Sequence, residues 1–260
     1  MRILVTMKHV PDTTEVRFGG DGALMLRHAP TKINDYDRNA LEAAASIRES
    51  GGTEVIVVSV GPPEAAKTLK EALAYGADAG ILVTGSWSEA LDSASVAKVL
   101  AAVIEREGPF DLVLSGDVSE DGYDSLVPGR LAASRGVPYV RGVTSLGVIE
   151  GGVEVIRTLD DAEETIRVAL PAGLSVTRLV NVPRTITTMQ VMKVPMSRVR
   201  TVSVADLGID EGTLALDARP VQLLGVRPAS NERRNELLEG EPDEVVAALV
   251  SRLSELGVLA

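Results

Sequence analysis

The chain of 260 residues is long enough for one or two domains, and its net charge is −11, from 26 basic and 37 acidic residues. This acidic balance argues against a nucleic-acid binder and against a protein that adheres to anionic membranes. The sequence contains no cysteine, which excludes disulfides, thiolate catalysis and cysteine-ligated metal clusters. No apolar run reaches transmembrane length, and the N-terminus predicts a strand rather than a signal peptide, so we expect a cytoplasmic protein without membrane insertion.

In the first half of the chain, short apolar runs alternate with helical patterns. The runs predict buried parallel strands at 2–7, 54–60, 81–83 and 112–114. Each run is followed by a helix start signal, in chain order Asn34-Asp35, Pro62-Pro63, Asp92 or Ser93, and Leu126. This alternation predicts an α/β, Rossmann-like fold with a doubly wound parallel sheet that carries helices on both faces.

Between the first strand and the first helix the pattern is weak. We expect residues 8–12 to turn out of the strand and Gly19–Gly22 to form the turn of a surface hairpin. After Pro138 the pattern changes again. Alternating runs predict further strands at 143–149, 153–157 and 164–168, and residues 173–176 are expected to rejoin the main sheet. These segments predict a small antiparallel extension of the parallel core.

From Asn181 onward the chain is irregular, and residues 219–241 show no periodicity. Such long segments are uncommon inside compact domains and are often functional or bound to a partner. Pro242 then opens a last helix with an apolar face formed by Val246, Leu249, Val250 and Leu253. The sequence predicts a nucleotide-binding α/β domain over 1–210 and a C-terminal arm over 211–260 that docks on a partner subunit. The alternative is that this helix packs back on its own domain.

The stretch from Asp111 to Ala133 predicts a strand, a polar loop and a helix. Ligands of parallel sheets bind at the carboxyl ends of strands, and helix N-termini favour anions, so this loop is the candidate centre of a nucleotide site. It contains neither a Walker pattern nor Gly-x-Gly-x-x-Gly. Its acidic residues disfavour a triphosphate, so a monophosphate or a cofactor held through backbone groups fits better. The alternative is a solvated connection without a ligand.

Several motifs, in order along nearly the whole chain, resemble the β subunit of electron transfer flavoproteins. They are Met7–Asp12 (Val-Lys-x-Val-x-Asp in the family), Ile33–Glu42, Ala72–Asp78, Leu170–Ala172, Asn181–Arg184, Met192-Lys193 and Asp206–Ile209. The loop departs from the family's Gly-Lys-Gln-(Ala/Ser)-x-Asp-Gly-Asp pattern. Gly116, Asp121, Gly122 and Val127 agree with it. Asp117 replaces a lysine, Tyr123 an acid and Leu126 a glutamine.

The resemblance implies a heterodimer with an electron transfer flavoprotein α subunit that carries the redox FAD. It also implies AMP in this chain, or a second FAD as in electron-bifurcating members. Carried over by position, the nucleotide pocket consists of Thr6, Asn34, Asp35, Tyr36, Asp37, Val60, Gly116, Asp117, Val118, Ser119, Glu120, Asp121, Gly122, Tyr123, Asp124, Ser125, Leu126 and Val127. Two alternatives remain open at this point: Asn34 as a helix cap only, and Thr6 as a strand-end residue only.

The resemblance further implies that residues 185–194 contact partner proteins, with Thr188, Met189 and Met192 as binding residues. Met189 is the candidate anchor, because methionine suits adaptable contact surfaces. The alternative is that these methionines fill a core. The expected partners are the α subunit, flavin dehydrogenases, and a quinone reductase or ferredoxin-type acceptor.

The leading hypothesis is therefore an electron-transfer subunit that passes electrons between partner dehydrogenases and an acceptor by way of flavin. It needs no catalytic residue and no metal of its own. One alternative is a stand-alone adenine-nucleotide sensor of the same fold. Another is a hydrolase or transferase, which would depend on His9 or His28, the only histidines of the sequence.

Overall fold

The structure is a computed structural model that describes residues 1–19, 24–25, 29–85, 91–215, 221, 224–226, 233 and 235–259. The chain divides into two compact units, Met1–Val226 and Arg227–Ala260. Across the described ranges, no helix combines the length and the apolar character needed to cross a membrane.

The strands are β1 (Arg2–Thr6), β2 (His9–Pro11), β3 (Thr31–Ile33), β4 (Glu54–Val60), β5 (Ala79–Val83), β6 (Leu112–Gly116), β7 (Tyr139–Ile149), β8 (Gly152–Thr158), β9 (Glu163–Ala169), β10 (Ala172–Val176) and β11 (Val199–Val202). The helices are α1 (Asp35–Glu49), α2 (Ala65–Ala74), α3 (Ser93–Glu107), α4 (Leu126–Arg135), α5 (Thr188–Lys193) and α6 (Pro242–Glu255).

Within the described residues, the main sheet has the strand order β11-β5-β4-β1-β6-β10-β7-β8-β9. Its pairs are parallel from β11 through β7, and β7, β8 and β9 pair antiparallel. The predicted doubly wound parallel sheet is confirmed, as is the antiparallel extension. Strand β10 lies between β6 and β7, so the predicted return of residues 173–176 to the main sheet is also confirmed.

Alternate side chains of the central strands pack into two apolar cores, one on each face of the sheet. On one face, Ile3 and Val5 belong to the cluster that includes Leu41 of α1 and Leu69 of α2. On the other face, Leu4 belongs to the cluster with buried residues of α3 and α4. This alternation follows from the two-residue period of a strand covered by helices on both sides.

The sequence missed two features of the first unit. Residues His9–Pro11, predicted as a turn, form β2, which pairs with β3 in a separate antiparallel sheet. Strand β11 extends the main sheet beside β5 in a region predicted to be irregular. Of the predicted hairpin at Gly19–Gly22, residues 20–22 lie outside the described residues.

The second unit contains α6, which begins at Pro242 as predicted. Proline occupies the first turn, and Glu241 and Glu244 form a reciprocal capping box at the N-terminus. No residue of α6 is buried. In the first unit, Leu214 is fully buried, so the compact body continues past residue 210. The docking of an arm over 211–260 on a partner stays a prediction.

Candidate functional site

The order in which strands are added to the sheet changes side between β1 and β6. Strands β4 and β5 lie on one side of β1, and strands β6, β10 and β7 lie on the other. Such a switch point leaves a crevice at the carboxyl ends of the two strands, where ligands of open α/β sheets bind. The loop from Gly116 to Val127 leaves β6 at this edge.

The first turn of α1 holds this loop in place. Asn34, only 2% exposed, donates a hydrogen bond from Nδ2 to the Val118 carbonyl at 2.9 Å. Its Oδ1 accepts the Glu120 N–H at 3.0 Å. Asn34 occupies the N-cap position of α1, but its side chain makes no capping hydrogen bond. Glu120 accepts the Asp35 N–H instead, at 3.3 Å. The alternative that Asn34 acts as a helix cap only is therefore wrong.

Each acidic side chain of the loop has a partner within the protein. The pairs and their distances are Asp117 with Arg141 at 3.1 Å, Glu120 with Lys32 at 3.1 Å and Arg178 at 2.6 Å, Asp121 with Lys8 at 2.7 Å, and Asp124 with the Leu126 N–H at 2.7 Å. Asp117, Glu120 and Asp121, three of the acids that disfavour a triphosphate, are thus paired with cations from distant parts of the chain. The Asp124 carboxylate accepts the Leu126 N–H, one of the free N–H groups at the start of α4 that could otherwise bind an anion.

Asp117 also belongs to a buried chain of hydrogen bonds across three strands. Ser175 Oγ donates to Asp117 Oδ1 at 2.7 Å, and it lies 2.9 Å from the hydroxyl of Tyr139. Ser175 is fully buried, and Asp117 is 8% exposed. Burial raises the pKa of Tyr139 above its usual range, so the phenol stays protonated and available as a donor. The residue that replaces the family's lysine is therefore a structural acid in this chain.

Asp37, in the first turn of α1, is a buried acid that bonds to the segments leaving β1 and β6. Its Oδ2 accepts the Lys8 N–H at 2.7 Å and its Oδ1 accepts the Gly116 N–H at 3.0 Å. Burial raises its pKa from 3.8 to about 7, although these N–H groups and the Asn34 side chain act in the opposite direction. The neighbouring Tyr36 ring lies 4.7 Å below the Arg178 guanidinium.

Three shielded side-chain hydroxyl oxygens at this edge of the sheet have no hydrogen-bond partner in the described part of the chain. They belong to Ser59, next to the end of β4, to Thr84, directly after β5, and to Ser119 in the loop. Buried polar groups are nearly always satisfied in native proteins, so unpartnered ones point to a bound polar group. Ser59 and Thr84 were not among the residues predicted from the sequence. A small polar residue at the carboxyl end of an apolar run was the available signal.

The other predicted pocket residues differ in how they are placed. Thr6 donates from Oγ1 to Ser115 Oγ at 2.8 Å, which joins β1 to β6. Val60 ends β4 at the same edge and is partly buried against the second core cluster. Tyr123 is 78% exposed and has a φ of 53°, the left-handed region that side chains rarely adopt. The remaining positions complete the loop and the first turn of α4, namely Gly122, Ser125, Leu126 and Val127.

The predicted partner-binding residues lie on a short exposed helix. Thr188, Met189 and Met192 belong to α5, which contains no buried residue. The side chains of Met189 and Met192 are 67% and 74% exposed. The alternative that these methionines fill a core is therefore wrong, while their role in binding a partner stays a prediction.

The histidines offer little support for a hydrolase. The ring Nδ1 of His9 lies 3.1 Å from Thr68 Oγ1, and burial lowers its pKa. His28 lies outside the described residues. Among the residues that the structure describes, no cluster of His, Asp or Glu side chains could hold a metal ion.

Comparison with known proteins identifies the family. Residues 23–207 match the electron transfer flavoprotein domain model. An electron transfer flavoprotein subunit beta from Thermoanaerobacterium thermosaccharolyticum is 34% identical over 261 residues, covering 100% of both chains. Subunit CarD of the caffeyl-CoA reductase-Etf complex from Acetobacterium woodii is 34% identical over 262 residues, again covering 100% of both. A subunit beta from Clostridium acetobutylicum is 30% identical, with 98% of each chain covered. The chain therefore belongs to the electron transfer flavoprotein β-subunit family and takes part in electron transfer.

Proposed function

We propose that this chain is the β subunit of a heterodimeric electron transfer flavoprotein and that it binds an adenine nucleotide at the β1–β6 crevice. The nucleotide is AMP, or the AMP portion of a second FAD. The redox FAD is carried with the α subunit and supplies the electron-transfer chemistry. The role of this chain is to hold the nucleotide, bind the α subunit and present a surface to partner enzymes.

The observation that carries the nucleotide proposal is the set of unpartnered hydroxyls of Ser59, Thr84 and Ser119. Ser59 lies near the end of β4, Thr84 directly follows β5, and Ser119 lies in the loop after β6, so all three belong to the carboxyl edge of the parallel sheet, where ligands of such sheets bind. Leaving a hydroxyl buried and unsatisfied costs about 1–3 kcal/mol. A ribose, an adenine edge or a phosphate oxygen would supply the missing hydrogen bonds.

The charge of the site supports a ligand of modest negative charge. Lys8, Lys32, Arg141 and Arg178 are each paired with an acid of the loop, so none of them is left over for a triphosphate. A single phosphate or a pyrophosphate held by backbone N–H groups and hydroxyls fits this arrangement better.

The family supports the partner side of the proposal. Its β subunits are named as subunits of flavoproteins, and the relative from Acetobacterium woodii is a subunit of a complex with a reductase. We propose that α5, with Thr188, Met189 and Met192, contacts flavin dehydrogenases, and that a quinone reductase or ferredoxin-type protein is the acceptor. The exposed methionines provide a flexible apolar surface suited to more than one partner.

Pairing with the α subunit is tested by co-expression and co-purification. The full chain is expected to form a complex that contains FAD and whose flavin is reduced by a partner dehydrogenase. A chain that ends after Val226 keeps the first compact unit, including the buried Leu214, and lacks the second. We expect it to fold and to lose the α subunit. Retained pairing would contradict the docking role of the arm, and failure of the full chain to pair would contradict the proposed function.

A further inference from the structure

One buried side chain, that of Asp37, connects the segments that leave the two strands flanking the crevice. Asp37 is 5% exposed, and each of its carboxylate oxygens accepts one backbone N–H. Oδ2 bonds to Lys8, two residues beyond β1, at 2.7 Å, and Oδ1 bonds to Gly116, the last residue of β6, at 3.0 Å. The carboxylate thus joins the segment that leaves β1 to the start of the loop that leaves β6.

The packing around Gly116 makes this connection tight. A Cβ atom at Gly116 would lie 2.4 Å from Asp37 Oδ1 and 2.7 Å from Tyr36 Cβ. The first turn of α1 therefore rests directly on the end of β6, with no side chain between them. A change in the position of Asp37 is transmitted to Gly116, and through it to the rest of the loop.

Both oxygens of Asp37 bond to backbone N–H groups of the segments that flank the crevice, so its position affects the loop even without a direct contact to a ligand. We propose that Asp37 is a positioning residue. Its two hydrogen bonds to the Lys8 and Gly116 N–H groups, here called the Asp37 clip, hold the ends of β1 and β6 together and set the shape of the Gly116–Val127 loop for the nucleotide. This inference rests on the proposed nucleotide role of the loop and adds a residue that controls it.

The ionised carboxylate is the form that completes the clip. A neutral carboxyl group carries a hydrogen on one oxygen, which then accepts an N–H poorly, so one of the two bonds is lost. The pKa of Asp37 is raised by burial to about 7, which places this change near neutral pH. The charge of Lys8 lowers the pKa of Asp37, against the effect of burial, and Lys8 itself pairs with Asp121 at 2.7 Å. His9 begins β2, contacts Thr68 and has a pKa lowered by its own burial.

The test compares the full chain with two variants, with AMP as the probe. Asp37→Asn has nearly the same shape and keeps only one acceptor oxygen, so it retains one of the two bonds. Asp111→Asn is the matched control, because Asp111 Oδ2 accepts the Arg2 N–H at 2.8 Å at the opposite end of the same two strands. AMP affinity is measured by calorimetry from about pH 6 to about pH 8.5, a window that brackets the raised pKa.

At about pH 8.5, we expect Asp37→Asn to bind AMP about tenfold more weakly than the wild type, which corresponds to about 1.4 kcal/mol. The difference should shrink as the pH falls through about 7, because the wild-type carboxyl then takes up its proton. The phosphate of AMP titrates near pH 6 in every sample and cancels in the ratio. Asp111→Asn should follow the wild type throughout. Equal affinities for Asp37→Asn and wild type, or a ratio that does not change with pH, would overturn the proposal.

Amide hydrogen exchange without nucleotide separates this inference from the proposed function. Above the pKa of Asp37, the amides of Gly116–Val127 should exchange faster in Asp37→Asn than in wild type, and Asp111→Asn should leave them unchanged. In the wild type alone, protection of the loop should fall as the pH is lowered through about 7. If the loop amides exchange faster in Asp37→Asn but neither the wild type nor any variant binds AMP, the nucleotide role is contradicted and the Asp37 clip is supported. Unchanged exchange would contradict the clip even if AMP binds.

Discussion

Arg184 holds the carboxylate of Glu42 with three hydrogen bonds. The backbone N–H, Nε and Nη2 of Arg184 donate to Glu42 at 3.0, 2.8 and 2.9 Å. Glu42 lies on α1 and is 8% exposed, and these bonds lower its pKa. Three residues earlier on α1, Asn39 exchanges hydrogen bonds with Asn181. The helix whose first turn holds the candidate nucleotide loop therefore also anchors the segment that leads to α5.

We expect Arg184→Lys to lower the free energy of unfolding by about 2 kcal/mol, because lysine cannot reproduce the paired Nε and Nη2 contacts with a carboxylate. The measurement is urea-induced unfolding at neutral pH. Arg167→Lys is the control, since Arg167 pairs with Glu154 and its side chain is 77% exposed. Such a surface pair contributes at most about 0.5–1 kcal/mol. Equal losses for the two variants would show that the Glu42 contact has no special role.

The stability of the protein should depend on pH through Asp37. Burial raises its pKa from 3.8 to about 7 in the folded state. Between these values the folded protein keeps a proton that the unfolded chain has released, so the free energy of unfolding falls as the pH rises through this window. Asp37→Asn lacks this contribution and should show a flatter curve, with a difference of up to a few kcal/mol at about 1.4 kcal/mol per pKa unit.

Unfolding of wild type and Asp37→Asn over a series of pH values measures the effect. Glu42 provides a contrast with the opposite sign, because its pKa is lowered and its contribution is lost as the pH falls through the folded pKa. Parallel curves for the wild type and Asp37→Asn would contradict the raised pKa of Asp37.

Gly116→Ala should disturb both the fold and the loop. The added Cβ would lie 2.4 Å from Asp37 Oδ1 and 2.8 Å from the backbone carbon of Tyr36, so the first turn of α1 has to move. Overpacking of this kind typically costs about 1–3 kcal/mol. Gly147→Ala is the control, since its nearest neighbour would be the Glu154 carbonyl oxygen at 3.9 Å. Thermal unfolding of both variants is the measurement, and a Gly116→Ala protein as stable as Gly147→Ala would contradict the close contact.

Met189→Ala should weaken the interaction with a partner dehydrogenase without changing stability. The side chain is 67% exposed on α5, so its removal leaves no cavity in the core. We expect a loss of about 1–2 kcal/mol in partner affinity if Met189 anchors the contact. Steady-state flavin reduction at varied partner concentration measures it. Met25→Ala, at a methionine 42% exposed outside α5, should leave it unchanged. Equal kinetics for the two variants would contradict the anchor.

The sequence predicts the order of the central elements well, because buried parallel strands appear as continuous apolar runs separated by helical patterns. Strand β11 was missed because Val199–Val202 is short and its partner β5 lies far away along the chain. Strand β2 was missed because it is three residues long and pairs with β3, which is equally short. Local pattern carries no information on which distant segment supplies the hydrogen bonds of a short strand.

The loop was located correctly as a polar strand-to-helix connection, but its electrostatics were not readable from the sequence. The partners of Asp117, Glu120 and Asp121 come from β7, from β3, from the segment after β10 and from the segment after β1. The part played by Asn34 depends on Val118, 84 residues away. Only the folded chain brings these groups together.

The most direct test of the account is the nucleotide content of the complex with the α subunit. The purified complex is denatured, and the released FAD and AMP are quantified by chromatography per heterodimer. We predict one adenine nucleotide in addition to the redox FAD: either one FAD with one AMP, as in a simple electron carrier, or two FAD with no AMP, as in a bifurcating protein. A complex that releases a single FAD and no other adenine nucleotide would contradict the proposed site at the β1–β6 crevice.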